Sequence, residues 1–489
     1  MAATPAPVAS VLDSAKFHAG RFWTARFSSF AVVGLALYAF HNFVTPNLGI
    51  YDVRLIVLAF LFGTLAVSLN LINGITGQFS IGHAAFYLIG AITAGKLTVT
   101  FYKTGIVQMP GTLWLLVMVF AGAAAAAVAG LIVGLPSLRL RGDYLAVATL
   151  GFGEIVNVIQ RNQDGGKQSI AGLDLGGAYG LQGVPKLTEI WFVLLLFIVT
   201  VALTRNLITC AHGLSFLAVR EDELAADATG VNATRTKVTA FILGAAIAGM
   251  AGALYAHYNG SVPPDDFKMD TSFILVAMVV IGGTGSITGA AAAGITLKLL
   301  EEGLRKVPAI PAIDLYALIL LAIAAFAGYR ALARRRKLNL DGKLRPIWVT
   351  LGSILCVFVV WLGYKNYGSD LSWVLKVAAW VFMALLLACI LSTSSRVAYL
   401  ARFGFFGFCL ALIVLAKPLV AGPLRGIEPV VELVGQTTYR AADLRWAIFS
   451  LALVFVMIIR PQGVFGHHEF SWTFVKRFFA GRVGEGASA

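Results

Sequence analysis

Long apolar runs separated by short polar segments dominate this sequence. A window of about 20 residues, the length that crosses a bilayer as an α-helix, finds them along most of the chain. They lie near 28–44, 55–72, 79–98, 112–135, 144–160, 190–204, 238–257, 272–281, 287–300, 315–327, 347–364, 371–390, 403–420 and 444–459. Since some runs are too short to cross alone, the pattern predicts an all-α polytopic membrane protein with about 12–14 membrane helices or half-helices.

Polar and conformationally loose residues interrupt one of these runs. Segment 68–95 places Asn70, Asn73, Gln78, Ser80 and His83 between apolar flanks. An unpaired polar group inside a bilayer costs several kcal/mol, so this segment must be shielded by protein or line a wet cavity. Transporters use broken helices of this kind near the bilayer midplane. We therefore predict that these five residues line a substrate pathway.

Glu154 joins the predicted pathway because it is an ionisable group within an apolar run, and such groups usually face a bundle interior or water. Two other interpretations remain open. Glu154 is close to the polar end of its run at Gln160 and Arg161, which also suits an interfacial role. The polar residues of segment 68–95 could simply satisfy one another and the interrupted backbone, and a buried histidine such as His83 is more often a hydrogen-bonding group than a ligand.

A second glycine-rich segment, 281–289, shares the G-x-x-G spacing of the first and also separates two apolar stretches. An inverted repeat would place two such breaks symmetrically about a central site. The alternative is that the small residues serve close helix packing.

Composition excludes a soluble protein of this length. The mean hydropathy is +0.83, 58% of residues are hydrophobic and only 13% are charged. The net charge of +14 does not indicate nucleic acid, because the basic residues lie in short loops between apolar runs. The four cysteines are scattered, and we expect no metal or other cofactor. The sequence also lacks a P-loop, so any ATP must be bound by another chain.

Lysine and arginine in short loops favour the cytoplasm. One topology puts the basic segments 139–141, 205–237, 330–337 and 396–402 on that side and Asp265, Asp266 and Asp270 on the other. This topology predicts cytoplasmic N- and C-termini.

The longest cytoplasmic loop, 205–237, predicts a short helix over about 214–229 that ends at Gly230. Leu217, Leu224, Ala228 and Val231 recur along one face, with mostly acidic residues around them. A helix on anionic lipid headgroups is normally basic. The acidic character therefore favours docking onto a protein partner over docking onto lipid.

Several sequence motifs resemble those of a known transporter family. Glu223, Ala225, Ala226 and Gly230 resemble the EAA-type loop by which permeases of ABC importers engage their ATPases, and Arg220, Glu221 and Asp222 lie in the same loop. Segments 70–95, 135–156, 253–267, 272–294 and 443–466 are similar, in the same order, to the LivM-type permease of branched-chain amino acid ABC transporters.

The resemblance implies a permease subunit that performs no enzymatic chemistry and resides in the bacterial inner membrane, surrounded by lipid. Its implied partners are two cytoplasmic ABC ATPase subunits, a second, LivH-like permease, a periplasmic substrate-binding protein and a small-molecule substrate. The implied substrate is a branched-chain (hydrophobic) amino acid. Urea or a short amide is the alternative substrate, since related permeases carry them.

An ion-coupled secondary transporter is a further alternative, but it should bury pairs of ionisable residues, and beyond Glu154 we find little of that kind in the apolar runs. An intramembrane enzyme is disfavoured because the histidines form no HExxH motif.

The resemblance also predicts the domain organisation. A cytoplasmic N-terminal segment (1–27) precedes a permease core (28–305) that contains the coupling loop 205–237. The family proceeds fairly directly to its last helix, whereas here an additional membrane block (306–442) comes first. The final permease helix (443–466) and a cytoplasmic tail (467–489) follow.

Overall fold

The computed structural model describes residues 45–137, 143–163 and 174–305, five positions between 34 and 42, and the strand residues 310–311 and 438–439. The predictions for 1–44 and for 306–489, including the additional block, the final helix and the tail, therefore fall mostly outside the described residues. The described part is an all-α membrane bundle, as the sequence predicts.

The helices follow the apolar runs closely. They are α1 (Ile50–Asn70), α2 (His83–Leu97), α3 (Gly111–Ser137), α4 (Asp143–Asn162), α5 (Ile190–Thr209), α6 (Ala211–Glu221), α7 (Glu223–Ala228), α8 (Ala233–Asn259), α9 (Met269–Gly282) and α10 (Ile287–Arg305). Short π-helical turns, Leu71–Ile75 and Thr98–Tyr102, extend α1 and α2, and 3-10 turns form at Thr45–Asn47, Gly177–Tyr179 and Pro264–Phe267. Two antiparallel strand pairs join β1 (Leu181–Gln182) to β2 (Ser261–Val262) and β3 (Ile310–Pro311) to β4 (Thr438–Tyr439).

Among the described residues, five helical stretches are long and apolar enough to cross a membrane. They are Ile50–Ile75, His83–Tyr102, Gly111–Leu135, Ile190–Thr209 and Ala233–Asn259. Each coincides with a run predicted from the sequence, so this part of the chain is a multi-pass membrane protein.

Helix α4 is amphipathic, with polar residues towards the protein. Asn157 and Gln160 are buried and donate to the backbone oxygens of Pro264 and Val262, each at 2.8 Å. Apolar residues on the same helix, such as Ile155, are exposed. In a bilayer this distribution is favourable because the exposed face meets lipid and the polar groups find partners inside the protein.

Three helices cross where each carries a glycine. A Cβ on Gly249 of α8 would lie 2.4 Å from the Gly122 oxygen of α3, and a Cβ on Gly90 of α2 would lie 2.2 Å from the Gly249 oxygen. No side chain fits at these distances. The backbones therefore pack directly, which is how membrane helices gain van der Waals contact without a hydrophobic drive.

Helices α9 and α10 form a hairpin that enters the bundle and returns. The 14 residues of α9 extend about 21 Å, less than the hydrocarbon thickness of about 30 Å. Gly283 and Gly285 turn the chain with φ of 117° and 95°. Asp270 at the start of α9 and Glu301 near the end of α10 line one cavity. The start of α9 and the end of α10 therefore lie at the same face of the bundle, which we call the Asp265 side.

We expect Gly249→Ala to destabilise the bundle by about 1–3 kcal/mol, because overpacking forces the backbones apart. Thermal unfolding of the detergent-purified protein measures this as a lower Tm. Gly151→Ala is the control, since a Cβ there meets nothing within 4 Å, and its Tm should stay equal or rise. Equal Tm values for both variants would contradict the close crossing.

Candidate functional site

The break between α1 and α2 is stabilised by one asparagine. Asn73 Nδ2 donates to the Ser80 backbone oxygen at 3.1 Å, and Asn73 Oδ1 accepts from the Ser80 backbone N–H at 3.2 Å. The chain turns between them at Gly77, whose φ of 70° favours glycine. One side chain therefore supplies the partners that a continuous helix would have given to Ser80.

The two glycine-rich breaks meet at Asn70. Its buried side chain accepts from the Gly285 N–H at 2.9 Å and donates to the Ser286 oxygen at 3.0 Å. A Cβ on Gly74 would lie 2.0 Å from Asn70 Oδ1 and 2.3 Å from the Gly285 nitrogen. The breaks are thus in direct contact, as the paired arrangement suggested by their shared spacing requires.

Other helices supply partners for the start of α2. The Ile81 N–H donates to Thr149 Oγ1 of α4 at 3.1 Å, and the Ala84 N–H donates to Ser272 Oγ of α9 at 3.2 Å. These N–H groups have no acceptor within their own helix. The break is therefore tied to α4 and α9 as well as to α10.

His83 and Ser80 are fully buried. Together with Asn70, Asn73 and Gln78 they form a group of polar side chains that we call the polar layer. The Ser68 hydroxyl lies 2.7 Å from His83 Nε2 and also donates to the Leu65 oxygen at 2.8 Å. Since the hydroxyl proton is used there, His83 Nε2 is the donor of the first bond. His83 Nδ1 and Ser80 Oγ have no hydrogen-bond partner among the described residues.

The first break also contacts the loop between α5 and α8. A Cβ on Gly77 would lie 3.2 Å from Arg220 Cγ of α6. Gln78 is buried, donates to Thr76 Oγ1 at 3.0 Å and points its amide at the Lys237 backbone oxygen, 3.4 Å away. The break therefore lies directly against the predicted coupling loop.

The predicted coupling loop contains two helices, not the single helix over 214–229 expected from the sequence. The chain is extended at Asp222, whose carboxylate accepts from the N–H groups of Leu224 and Ala225 at 2.9 and 3.1 Å. An aspartate that caps a new helix start ends the previous helix. The predicted C-cap is confirmed, since Gly230 has φ of 90° and the Val231 N–H bonds the Ala226 oxygen at 3.0 Å.

The buried face of this segment differs from the predicted one. Phe216 of α6 packs against Leu71 and Ile75 in the turn after α1, and Ala226 is the buried residue of α7. Leu224, expected on the apolar face, is 70% exposed. The physical reason is the bend at Asp222, which rotates α7 relative to α6.

Exposed acidic and small side chains surround Leu224. Glu221, Asp222 and Ala225 are exposed, whereas Glu223 pairs with Lys237 at 2.6 Å. This surface contains both apolar and acidic groups.

Glu154 lies on the Asp265 side, far from the coupling loop. Its carboxylate accepts from the Met269 N–H at 3.0 Å, at the first turn of α9, where negative charge is favoured. Nearby, Asp265 bonds Arg161 at 2.6 Å and Lys268 at 2.8 Å. The hydrogen bond from Lys268, with Arg161 beside it, lowers the pKa of the Asp265 carboxyl.

A cavity of about 160 Å³ opens on the Asp265 side, and the sequence analysis missed it. Its lining includes charged, aromatic and aliphatic residues, namely Arg54, Leu58, Phe62, Tyr87, Tyr255, Asp265, Asp266, Asp270, Thr271, Ile274, Lys298, Glu301 and Glu302. The residues predicted for the pathway are not among them. Glu154 instead lines a neighbouring open cavity, which shares Asp270 with this one.

The expectation that little besides Glu154 is ionisable in the apolar runs is wrong for α10. Lys298, Glu301 and Glu302 are buried, and Lys298 pairs with Glu301 at 2.8 Å while lying 4.3 Å from the Phe62 ring centroid. Their i, i+3, i+4 spacing at the end of an apolar run was the signal that could have found them.

The described residues define a class of protein by their fold: a multi-pass helical membrane protein. A family described as "Branched-chain amino acid transport system / permease component" matches residues 52–327. Since the match covers more than half of the chain, the protein belongs to this family.

Named relatives support the LivM type. The chain is 35% identical over 279 residues to the high-affinity branched-chain amino acid transport system permease protein LivM of Escherichia coli K12, covering 52% of this chain and 63% of that protein. It is 27% identical to the probable LivM of Methanocaldococcus jannaschii, covering 47% and 74%.

The permease LivH of Escherichia coli K12 is 26% identical over 254 residues, covering 49% and 80%. The match to the Escherichia coli LivM covers 63% of that protein, which is less than two thirds of its length. No solved structure matches the chain.

We expect Asn70→Ala to loosen the contact between the breaks, because the Gly285 N–H loses its acceptor at a cost of about 1–3 kcal/mol. Hydrogen exchange followed by mass spectrometry should show faster exchange in a peptide covering 283–287. Asn259→Ala is the control, because Asn259 also donates to a backbone oxygen, that of Ser261 at 3.2 Å. Unchanged exchange at 283–287 in Asn70→Ala would contradict the contact.

The lowered pKa of Asp265 predicts a pH-dependent contribution to stability. A carboxyl with a depressed folded pKa stabilises the fold above its unfolded pKa of 3.8, and loses this contribution as pH falls through the folded pKa. Because the group is exposed, we expect only about 0.2–1 kcal/mol. The excess in Tm of wild type over Asp265→Asn should be larger at pH 7 than at pH 2.5, and a constant difference would contradict the ion pairs.

Proposed function

We propose that this chain is the membrane permease subunit of an ABC importer that carries branched-chain amino acids. Two ATPase subunits on one side would drive it, and a substrate-binding protein would deliver the solute on the other. A second, LivH-like permease would complete the pore. The names of the relatives, which specify high-affinity branched-chain amino acid transport, support this proposal.

The observation that carries the proposal is the contact between α6 and the first break. A Cβ on Gly77 would make a tight contact of 3.2 Å with Arg220 Cγ, and Phe216 packs on Leu71 and Ile75. A displacement of α6 must therefore move the end of α1. This is the mechanical link that a permease needs if its energy source is a separate ATPase.

Lys237 provides a second link between the coupling segment and the break. Its backbone oxygen faces the Gln78 amide, and its ammonium pairs with Glu223 of α7. Both coupling helices thus reach the break, α6 through Arg220 and α7 through Lys237.

The polar layer supports a role in the solute pathway. Asn70 and Asn73 hydrogen-bond the backbone of the two non-helical breaks. Gln78 lies at the end of the polar layer nearest α6. Ser80 Oγ and His83 Nδ1 keep hydrogen-bonding capacity that the described residues do not use. In this proposal Glu154 positions α9, because its carboxylate holds the first N–H of that helix.

We assign the α6–α7 side to the cytoplasm and the Asp265 side to the exterior of a bacterial inner membrane. Basic residues favour the inner side, and the sequence places Arg139, Arg141, Arg205 and Arg220 there. This orientation puts both chain termini in the cytoplasm.

An ion-coupled transporter is the second candidate, and the buried pair of Lys298 and Glu301 favours it, since such pairs occur in ion and proton relays. The two candidates differ in what the chain does alone. Concentrative uptake into vesicles containing only this chain, driven by an ion gradient, would support the second candidate and refute the importer.

The importer proposal predicts that Leu224→Glu uncouples transport. Leu224 is exposed on α7, so the change should leave folding intact while a buried charge weakens ATPase docking. Substrate-stimulated ATP hydrolysis and solute uptake by the reconstituted complex should both fall about tenfold or more. Ile106→Glu is the control, because Ile106 is similarly exposed (67% against 70%) in the loop after α2. Equal activity in both variants would argue against docking at α7.

A further inference from the structure

The cavity on the Asp265 side combines an apolar wall with charges of both signs. Leu58, Phe62 and Ile274 form part of the wall, while Arg54 and Asp270 are among the charged residues. Its volume of about 160 Å³ is close to that of an engineered cavity of about 150 Å³ that accommodates benzene. A small aliphatic side chain would therefore fit.

One buried polar group in the lining has no partner. Tyr87 is 1% exposed, and its hydroxyl forms no hydrogen bond among the described residues. Its ring packs against Phe267 and Tyr255, with centroids 4.8 and 5.5 Å apart, so the side chain is fixed in place. Buried hydroxyls are usually hydrogen-bonded, and this one is available to an occupant of the cavity.

Most charges around the cavity are already paired. Lys298 bonds Glu301, Asp265 bonds Arg161 and Lys268, and the Tyr255 hydroxyl donates to Asp266.

Glu302 also has an interaction partner, so Arg54 and Asp270 remain. Within the described residues, neither forms a hydrogen bond or an ion pair of its own. The cavity therefore offers one guanidinium and one carboxylate that are not engaged, together with the Tyr87 hydroxyl.

We propose that this cavity is the extracellular entry site for an α-amino acid zwitterion with an apolar side chain. Arg54 binds the carboxylate, Asp270 binds the ammonium group, Tyr87 adds a hydrogen bond, and Leu58, Phe62 and Ile274 contact the side chain. The inference rests on the proposed import of branched-chain amino acids and names their first binding site in the permease. Such a site would select against urea, which offers no charge to either group.

The site is connected to the breaks through α9. Asp270 lies two residues before Ser272, whose hydroxyl accepts from the Ala84 N–H at the start of α2. Helix α9 therefore carries both the proposed ammonium ligand and a hydrogen-bond acceptor for the first turn of α2, the turn that contains His83.

Cysteine labelling of the assembled transporter tests the site. The four native cysteines are replaced by serine, and Thr271→Cys, which lies in the lining, is labelled with a small methanethiosulfonate reagent. Leucine should slow labelling, whereas urea and leucinamide, which lack the carboxylate, should not. Tyr179→Cys, 86% exposed in the loop after α4, should be labelled at the same rate in all cases.

Variants in the Thr271→Cys background test the residues. Arg54→Gln should raise the leucine concentration for half-protection by about tenfold or more, as loss of a charge-assisted bond requires. Tyr87→Phe should raise it severalfold. Lys103→Gln, in the exposed loop after α2, should leave it unchanged.

The outcomes separate the two proposals. Undiminished labelling in leucine, with ATP-driven leucine uptake intact, would overturn the entry site and leave the importer standing. Protection by leucine without ATP-driven uptake would refute the importer and leave the site standing. Equal protection by urea or leucinamide would overturn zwitterion recognition.

Discussion

Inside a bilayer every peptide N–H and C=O must find a partner within the protein, and the centre of this bundle depends on how two asparagines meet that need. Asn73 bonds both backbone groups of Ser80, and Asn70 bonds Gly285 and Ser286 in the other break. Without them, four backbone groups inside the bundle would lose these partners. Two neutral side chains therefore stabilise the non-helical breaks at the centre of the bundle.

Close backbone approach is the second requirement. Gly74 lies against Asn70 and Gly285, and Gly249 lies at the crossing of three helices. A methyl group at either position would separate the elements that the asparagines join. The glycine content of this chain thus serves contact between helices as much as flexibility.

Contacts run without interruption from one face of the bundle to the other. Arg220 of α6 meets Gly77 in the first break, Asn70 joins that break to the second, and α9 leads from the second break to Asp270 at the cavity. The proposed coupling segment and the proposed entry site, at opposite faces, are therefore connected through packed residues. This arrangement suits transport driven from one side and supplied from the other.

The sequence by itself determined the membrane helices, the first break and the Gly230 cap, because hydropathy, glycine and capping residues act over a few neighbouring positions. It also indicated that the polar residues of segment 68–95 needed partners. Only the tertiary structure decided which partners they have, since Asn70 and Gly285 are 215 positions apart. The cavity was likewise invisible, because α1, α2, α8, α9 and α10 contribute to it and no local pattern records which helices pack together.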